Sequence, residues 1–327
     1  MLQVIYVTRH GFRSNWLVDP SSGNYTTFIK SPTGGAADPA LTAHGVDQSN
    51  ELAVRLLAAH PPIERVYSSL YYRCLQTVEP FVRKAQEAVV RDRPVLRIRG
   101  ETGLGEWYGS ADFEHPVPAG LEKLDSLFPG LLDLSYEPAV TPNRMGESID
   151  ELHARVAATL EALIAQCDRD GVRSILLCSH AAVIIALGRV LTGRMPATVE
   201  TRDFKCFTCG LSLYRRRRSP GTETQGNNSS AKQGTAEIDA DCHRQGGLVQ
   251  DWSGGQGVSG AWNCELNSDC THLSLGEERG WAFSGDESFK DMATGQSMLN
   301  TTMGLGVVVD DRSRLSGRHA EDTRGKL

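Results

Sequence analysis

At 327 residues, with 40% hydrophobic residues and a formal net charge of −6, the chain is long enough for one large or two smaller domains around a real apolar core. That charge gives no general footprint for direct nucleic-acid binding, and no apolar run approaches a membrane span. A polar turn at Arg9-His10 so near the start leaves no room for a cleavable signal ahead of it, so cytoplasm or nucleus and reduced thiols are expected.

The apolar run from Gln3 to Thr8 reads as a buried strand that opens into Arg9-His10-Gly11-Phe12-Arg13-Ser14-Asn15. Ligands of open α/β sheets bind beyond the carboxyl ends of strands, which is where these side chains fall. Residues 16 to 40, punctuated by prolines and glycines, read as a long loop. Thr42 can cap a helix whose apolar face is Val46, Leu52, Leu56 and Leu57, and His44 in its first turn reads as a surface or capping residue. Arg65 to Ser69 predicts a short strand, followed by a helix from Tyr71 with Pro80 inside it or at its far turn. Arg73 then falls in a first helical turn, where it gains nothing from the helix dipole but can join backbone N–H groups around an anion.

A strand at Val95 to Ile98 leads to a loop in which Glu106 is flanked by glycines, Trp107 and Tyr108. Apolar walls there are expected to raise its pKa and keep it protonated as a general acid, with Glu101 the competing candidate. Residues 110 to 143 hold five prolines and read as an irregular insertion with a short helix at Leu121 to Leu127. Its Phe113, Phe128 and Tyr136 are candidates for pocket walls or for core. Ser148-x-x-Glu151 is a capping box opening a helix with the stripe Ile149, Leu152, Val156, Leu160, Leu163 and Ile164. Ser174 to Cys178 is a fully apolar strand ending at Ser179-His180, before an apolar helix from Ala181 to Leu191.

A last strand is expected at Phe207 to Tyr214, and the basic run Arg215 to Arg218 reads as its solvated end. Cys206-x-x-Cys209 in that strand would face opposite sides of the sheet, which argues against zinc, and no metal site is expected. Composition divides the chain into a core domain at 1–218, a flexible linker at 219–247, a β-hairpin extension at 248–289 and a disordered tail at 290–327. The hairpin strands would be Ala261–Leu266 and Gly280–Phe283, docked on the main sheet.

Arg9, His10, Arg13, Arg73, Glu106 and His180 thus fall at several strand ends or nearby loops. Three guanidinium groups and two imidazoles around one point make a pocket for a dianion, and the acid among them suits proton transfer. Phosphoryl transfer needs a nucleophile, positive charge on the equatorial oxygens and a proton for the leaving group.

The pieces Arg9-His10-Gly11, Leu41-Thr42-x-x-Gly45-x-x-Gln48, Ser68-Ser69-x-x-x-Arg73-x-x-Gln76-Thr77, Glu106, Gly146-Glu147-Ser148 and Ser179-His180 together resemble the histidine phosphatase superfamily, which includes phosphoglycerate mutases. The resemblance implies an α/β three-layer sandwich with a mostly parallel central sheet flanked by helices. It implies that His10 is the nucleophile of a phosphohistidine mechanism, that Arg9, Arg73 and His180 hold the phosphoryl oxygens, and that Glu106 is acid and base. Arg13 is a further phosphate contact, with Asn15 beside it, and the clustered arginines help keep His10 neutral. No cofactor is implied. The substrate would be a phosphorylated small molecule or phosphoprotein. Within the superfamily the chain is similar to a fungal group that includes the histidine-phosphatase-like tau subunit of the factor TFIIIC. A scaffold subunit of a transcription complex, with protein partners, is therefore the alternative to a phosphatase, and a phosphoglycerate mutase-type phosphotransferase a further one.

Overall fold

The computed structural model describes residues 1–19, 22–27, 29–88, 95–217 and 251–284. The expected linker at 219–247 and tail at 290–327 lie outside the described residues. In chain order the elements are β1 (Val4–Arg9), β2 (Trp16–Asp19), β3 (Asn24–Thr27), α1 (Ala43–Leu57), β4 (Arg65–Ser68), α2 (Tyr72–Glu87) and β5 (Ile98–Gly100). There follow α3 (Leu121–Leu127), α4 (Ile149–Arg169), β6 (Ser174–Ser179), α5 (Ala181–Thr192), β7 (Leu211–Arg216) and β8 (Trp262–Asp269).

Every residue of β1 and β6 is buried, as uninterrupted apolar strands require when both faces of a sheet are covered. They sit centrally in a six-stranded sheet of order β5-β4-β6-β1-β7-β8. β5, β4, β6 and β1 run parallel, while β7 and β8 are antiparallel additions. Side chains alternate across the sheet, so Ile5, Val7, Ile175 and Leu177 share one core with α4 and α5. Val4, Tyr6, Leu176 and Cys178 share the other with α1 and α2. The result is the expected three-layer α/β sandwich with a mostly parallel sheet.

Local signals set the helix starts. Thr42 accepts from the Gly45 N–H at α1, and Ser148 with Glu151 closes a capping box at α4. Pro80 lies inside α2.

Four expectations need correction. Residues 16 to 40 are not all loop, because Trp16–Asp19 pairs with Asn24–Thr27 as a hairpin turning at Gly23, φ +68°. The strand before Glu106 is Ile98–Gly100, displaced towards the partner residues offered by β4. The late strand begins at Leu211, so Cys206 and Cys209 lie in the preceding loop, both buried. The C-terminal segments do not pair with each other: Trp262–Asp269 pairs with β7 as an edge strand, and residues 280–283 form no strand. Those residues pack instead as irregular chain, with Phe283 against Trp107 and Trp281. Arg215 and Arg216 point from the end of β7 to Glu265 and Asp168, so these two arginines serve local pairing, while Arg218 lies outside the described residues.

Trp262 is fully buried and its indole N–H donates to the Val258 carbonyl. Trp262→Ala is therefore expected to cost about 3–5 kcal/mol in urea unfolding followed by circular dichroism. A cost below about 1 kcal/mol would mean that β8 is only loosely attached.

Candidate active site

Register builds the site. β1 and β6 pair parallel with Arg9 opposite Ser179, so His10 and His180 leave neighbouring strands at the same level. Their ring centroids lie 5.4 Å apart. β4 ends one strand further along, and the hydroxyl of Ser69, just past its end, lies 2.9 Å from His180 Nε2.

The turn after β1 is clamped from two helices. Gly11 N–H donates to Thr77 Oγ1 and Phe12 N–H to Gln48 Oε1, both at 2.9 Å. A Cβ on Gly45 would meet the Phe12 carbonyl oxygen at 2.0 Å, so only glycine lets α1 approach this turn. Gln76 accepts from the Leu41 N–H at 2.8 Å and thereby fixes the start of α1. These residues of the sequence motif position the site.

His10 is 1% exposed, and its Nδ1 lies 2.9 Å from the Gly11 carbonyl. A carbonyl can only accept, so Nδ1 carries the proton and Nε2 keeps its lone pair. Burial pulls the His10 pKa well below its ordinary value, and Arg73, Arg9, Arg13 and His180 add to the effect. The ring is neutral, as expected, although burial is a larger cause than the arginines.

Arg73 and His180 are fully buried. Arg73 donates to the Ala37 carbonyl at 3.1 Å and to Glu106 Oε2 at 2.9 Å, with Asp38 Oδ1 at 3.5 Å. His180 Nδ1 lies 3.2 Å from the same Glu106 oxygen. Burial lowers the His180 pKa, but Cys74 and Glu106 outweigh it and the net direction is upward. Arg13 lies over the Trp16 ring at 3.8 Å and donates to the Ser14 carbonyl. Arg9 donates to the carbonyls of Cys206 and Arg279. The Nε atoms of Arg9, Arg13 and Arg73 and the Trp16 indole N–H are buried without acceptors among the described residues. Burial pulls the pKa of both Arg9 and Arg13 down, so these cations gain most from an added anion.

The cavity mouth is lined by Arg9, His10, Arg13, Trp16, Glu106 and Trp281, among others. Arg73 and His180 lie behind Glu106, whose carboxylate takes the position beside them that an anion would use. Glu106 departs from expectation here. Burial pushes its carboxyl up, but His180, Arg73 and Arg13 together outweigh burial and hold it well below the usual range. It is ionised at neutral pH despite its aromatic setting, because Arg73 and His180 both contact the same carboxylate oxygen. Glu101 is buried elsewhere, accepting from the Tyr136 hydroxyl and the Gly103 and Ala139 N–H groups.

Asn15 is not part of the mouth; its side chain accepts from Arg279 at 3.4 Å. Phe128 is core, Phe113 stacks edge-on to His115, and Tyr136 packs on Tyr67. His44 caps nothing and instead meets Glu278, which also accepts from Gln48. His10, Glu106 and His180 offer three ligand atoms within 4.8 Å of one another, a spacing suited to a metal ion, but the surrounding guanidinium groups oppose a cation.

Sequence reading missed four contributors. Arg155 pairs with Glu147 and donates to the carbonyls of Gly103 and Gly105, fixing the loop that carries Glu106. Its position just beside the apolar stripe of α4 was the available signal. Ser69 lay unremarked within the quoted motif. Trp16 and Trp281 wall the mouth, and nothing in their spacing announced it.

Comparison with known proteins bears on these residues. A family model described as histidine phosphatase superfamily (branch 1) matches residues 5–228. The chain is 35% identical over 222 residues to the transcription factor tau 55 kDa subunit of Saccharomyces cerevisiae, covering 65% of this chain and 47% of that protein. It is 31% identical over 225 residues to an ecdysteroid-phosphate phosphatase of Drosophila melanogaster, covering 61% of this chain and 28% of that one. The chain thus spans less than half of either relative. Among solved structures, an ecdysone phosphate phosphatase from Bombyx mori in complex with tungstate aligns with a TM-score of 0.48 at 20% identity, over 71% of this chain and 98% of that one. Among the described residues, no helix is long and apolar enough to cross a membrane.

A neutral buried His10 carries a pH consequence. Its folded pKa is depressed, so below about pH 6.5 the unfolded chain takes up the proton first and stability falls. The stability of the wild type relative to His10→Gln should decline from pH 7 to pH 5, by at most about 1.4 kcal/mol per pH unit. Urea titrations at each pH measure this; a difference independent of pH would mean that the His10 pKa is the same in the folded and unfolded chain, and a difference that grows towards pH 5 would mean that His10 is charged in the fold.

Proposed function

We propose, for a chain that belongs to the histidine phosphatase superfamily (branch 1), that it hydrolyses phosphomonoesters through a phosphohistidine on His10, without a metal. The observation that carries this reading is the set of buried, unpartnered guanidinium Nε atoms gathered beside an imidazole whose Nε2 is bare. Such donors are strongly favoured by a dianion and have no other evident occupant.

In the proposed first step the substrate phosphate replaces the Glu106 carboxylate beside Arg73 and His180, while Arg9 and Arg13 take further oxygens. Displaced from its cations and set against a dianion, Glu106 loses what held its pKa down and takes up a proton. His10 Nε2 then attacks phosphorus, the P–O bond to the leaving group breaks, and Glu106 protonates the departing oxygen. In the second step the Glu106 carboxylate removes a proton from water, which attacks the phosphohistidine and releases phosphate and the free ring. The guanidinium groups spread over the equatorial oxygens do the electrostatic work that a metal does elsewhere.

Turnover of phenyl phosphate is expected from the wild type and should fall by at least about 10³-fold in His10→Ala. Retained hydrolysis in that variant would remove the assignment. Proton uptake is separately measurable. The net proton uptake on binding a non-hydrolysable phosphonate at pH 7, read from the dependence of the calorimetric heat on buffer ionisation enthalpy, should be greater in the wild type than in Glu106→Gln, the ligand's own ionisation being common to both. Equal uptake by the two proteins would contradict the acid role drawn for Glu106.

A second reading is favoured by the 35% identity to the yeast transcription factor subunit: the domain also serves as a subunit of a transcription complex in the nucleus. Affinity capture from extract with RNA polymerase III factors among the recovered proteins supports it. Their absence, together with a cytoplasmic fluorescent fusion, argues for the enzyme alone.

A further inference from the structure

A second cleft of about 260 Å³ adjoins the catalytic mouth and shares Glu106 and Tyr108 with it as walls. The rest of its lining comes from the loop before Tyr71, the proline-rich insertion and the chain ahead of α4. Leu70, Tyr71, Pro116, Val117 and Pro142 form its apolar surface.

Most of its polar side chains are already engaged. The Tyr71 hydroxyl donates to the Pro116 carbonyl and lies 3.1 Å from the Tyr108 hydroxyl. His115 is held between the Tyr25 hydroxyl and the Gly109 carbonyl, and Thr102 donates to the Val140 carbonyl. Glu147 is tied to Arg155. At the rim, Arg144 is paired with Glu114 at 2.6 Å. Of the charged groups lining the cleft, only Glu106 faces the phosphate site as well.

On the phosphatase reading above, the leaving-group oxygen must lie within reach of Glu106, so the remainder of the substrate extends from Glu106 into whatever space adjoins it. From this we propose that the cleft receives the leaving group and that the substrate is the phosphomonoester of an uncharged, largely apolar alcohol or phenol of about two fused rings. An apolar cavity of roughly 150 Å³ takes a benzene molecule, and this one is larger by more than half of that. A carboxylate or second phosphate on the leaving group would enter a space with no unpaired cation and with an acid at its inner wall. Such burial is costly, which sets the site against phosphoglycerates and nucleotides. Specificity in the cleft is a matter of apolar area removed from water, and each added ring should strengthen binding.

Unreactive phosphonates test this without relying on turnover. Calorimetry on the full chain would compare methylphosphonate, 1-naphthylmethylphosphonate and 3-phosphonopropionate, each with the wild type and with Val117→Trp. Val117 is 58% exposed at the cleft, so a larger side chain there fills the cleft while leaving the core intact. The naphthyl compound is expected to bind at least about tenfold tighter than methylphosphonate and the carboxylate compound no tighter. Val117→Trp should cut the naphthyl preference by at least about threefold and leave methylphosphonate binding unchanged. Equal binding of the naphthyl and methyl compounds, an unaltered preference in the variant, or tightest binding of 3-phosphonopropionate would each overturn the proposal. Failure of the phosphatase reading would show separately, as absent turnover of phenyl phosphate by a protein that still ranks the phosphonates as expected.

Discussion

Unscreened positive charge is the constraint around which this molecule is arranged. Arg9, Arg13 and Arg73 are buried beside His10 and His180, and such a group is tolerable only with an anion among its members. In the free protein Glu106 supplies that anion, touching Arg73 and His180 through one oxygen. On the phosphatase reading proposed above, an incoming phosphate would compete for those partners, and the carboxyl it displaced would change its affinity for a proton. Binding and acid–base chemistry would then be linked through one ion pair.

The scaffold is rigid where this balance requires it. Parallel pairing of β1 with β6 sets the two histidines side by side, and the loop carrying Glu106 is held from beneath by the Glu147–Arg155 pair. Arg155 touches no reacting group, yet its two bonds to loop carbonyls fix where the carboxylate stands. Rigidity of this kind lowers the reorganisation needed during reaction.

The C-terminal extension joins this system. β8 completes the sheet, Arg279 accepts from Arg9 through its carbonyl, and Trp281 walls the mouth. Chain from beyond residue 250 thus reaches the arginine and histidine cluster itself.

The sequence by itself determined the strands that carry His10 and His180, the helix caps at Thr42 and Ser148, and the identity of the charged residues. Those follow from short-range rules: apolar runs, capping side chains, and the chemistry of arginine, histidine and glutamate. It also singled out Glu106 over Glu101, while misjudging its ionisation. An aromatic neighbour is visible along the chain, whereas the distance to Arg73 and His180 is set only when strands pair. Asn15, Trp16 and Trp281 divide in the same way. Asn15 stands close to His10 in sequence yet turns to Arg279, while Trp281 comes from the far end of the chain to the mouth. The edge position of β8 was likewise decided by tertiary structure, because it pairs with β7 and not with the segment at 280–283. Register and burial are cooperative properties of the whole sheet, and no local pattern encodes which distant groups they bring within 3 Å of one another.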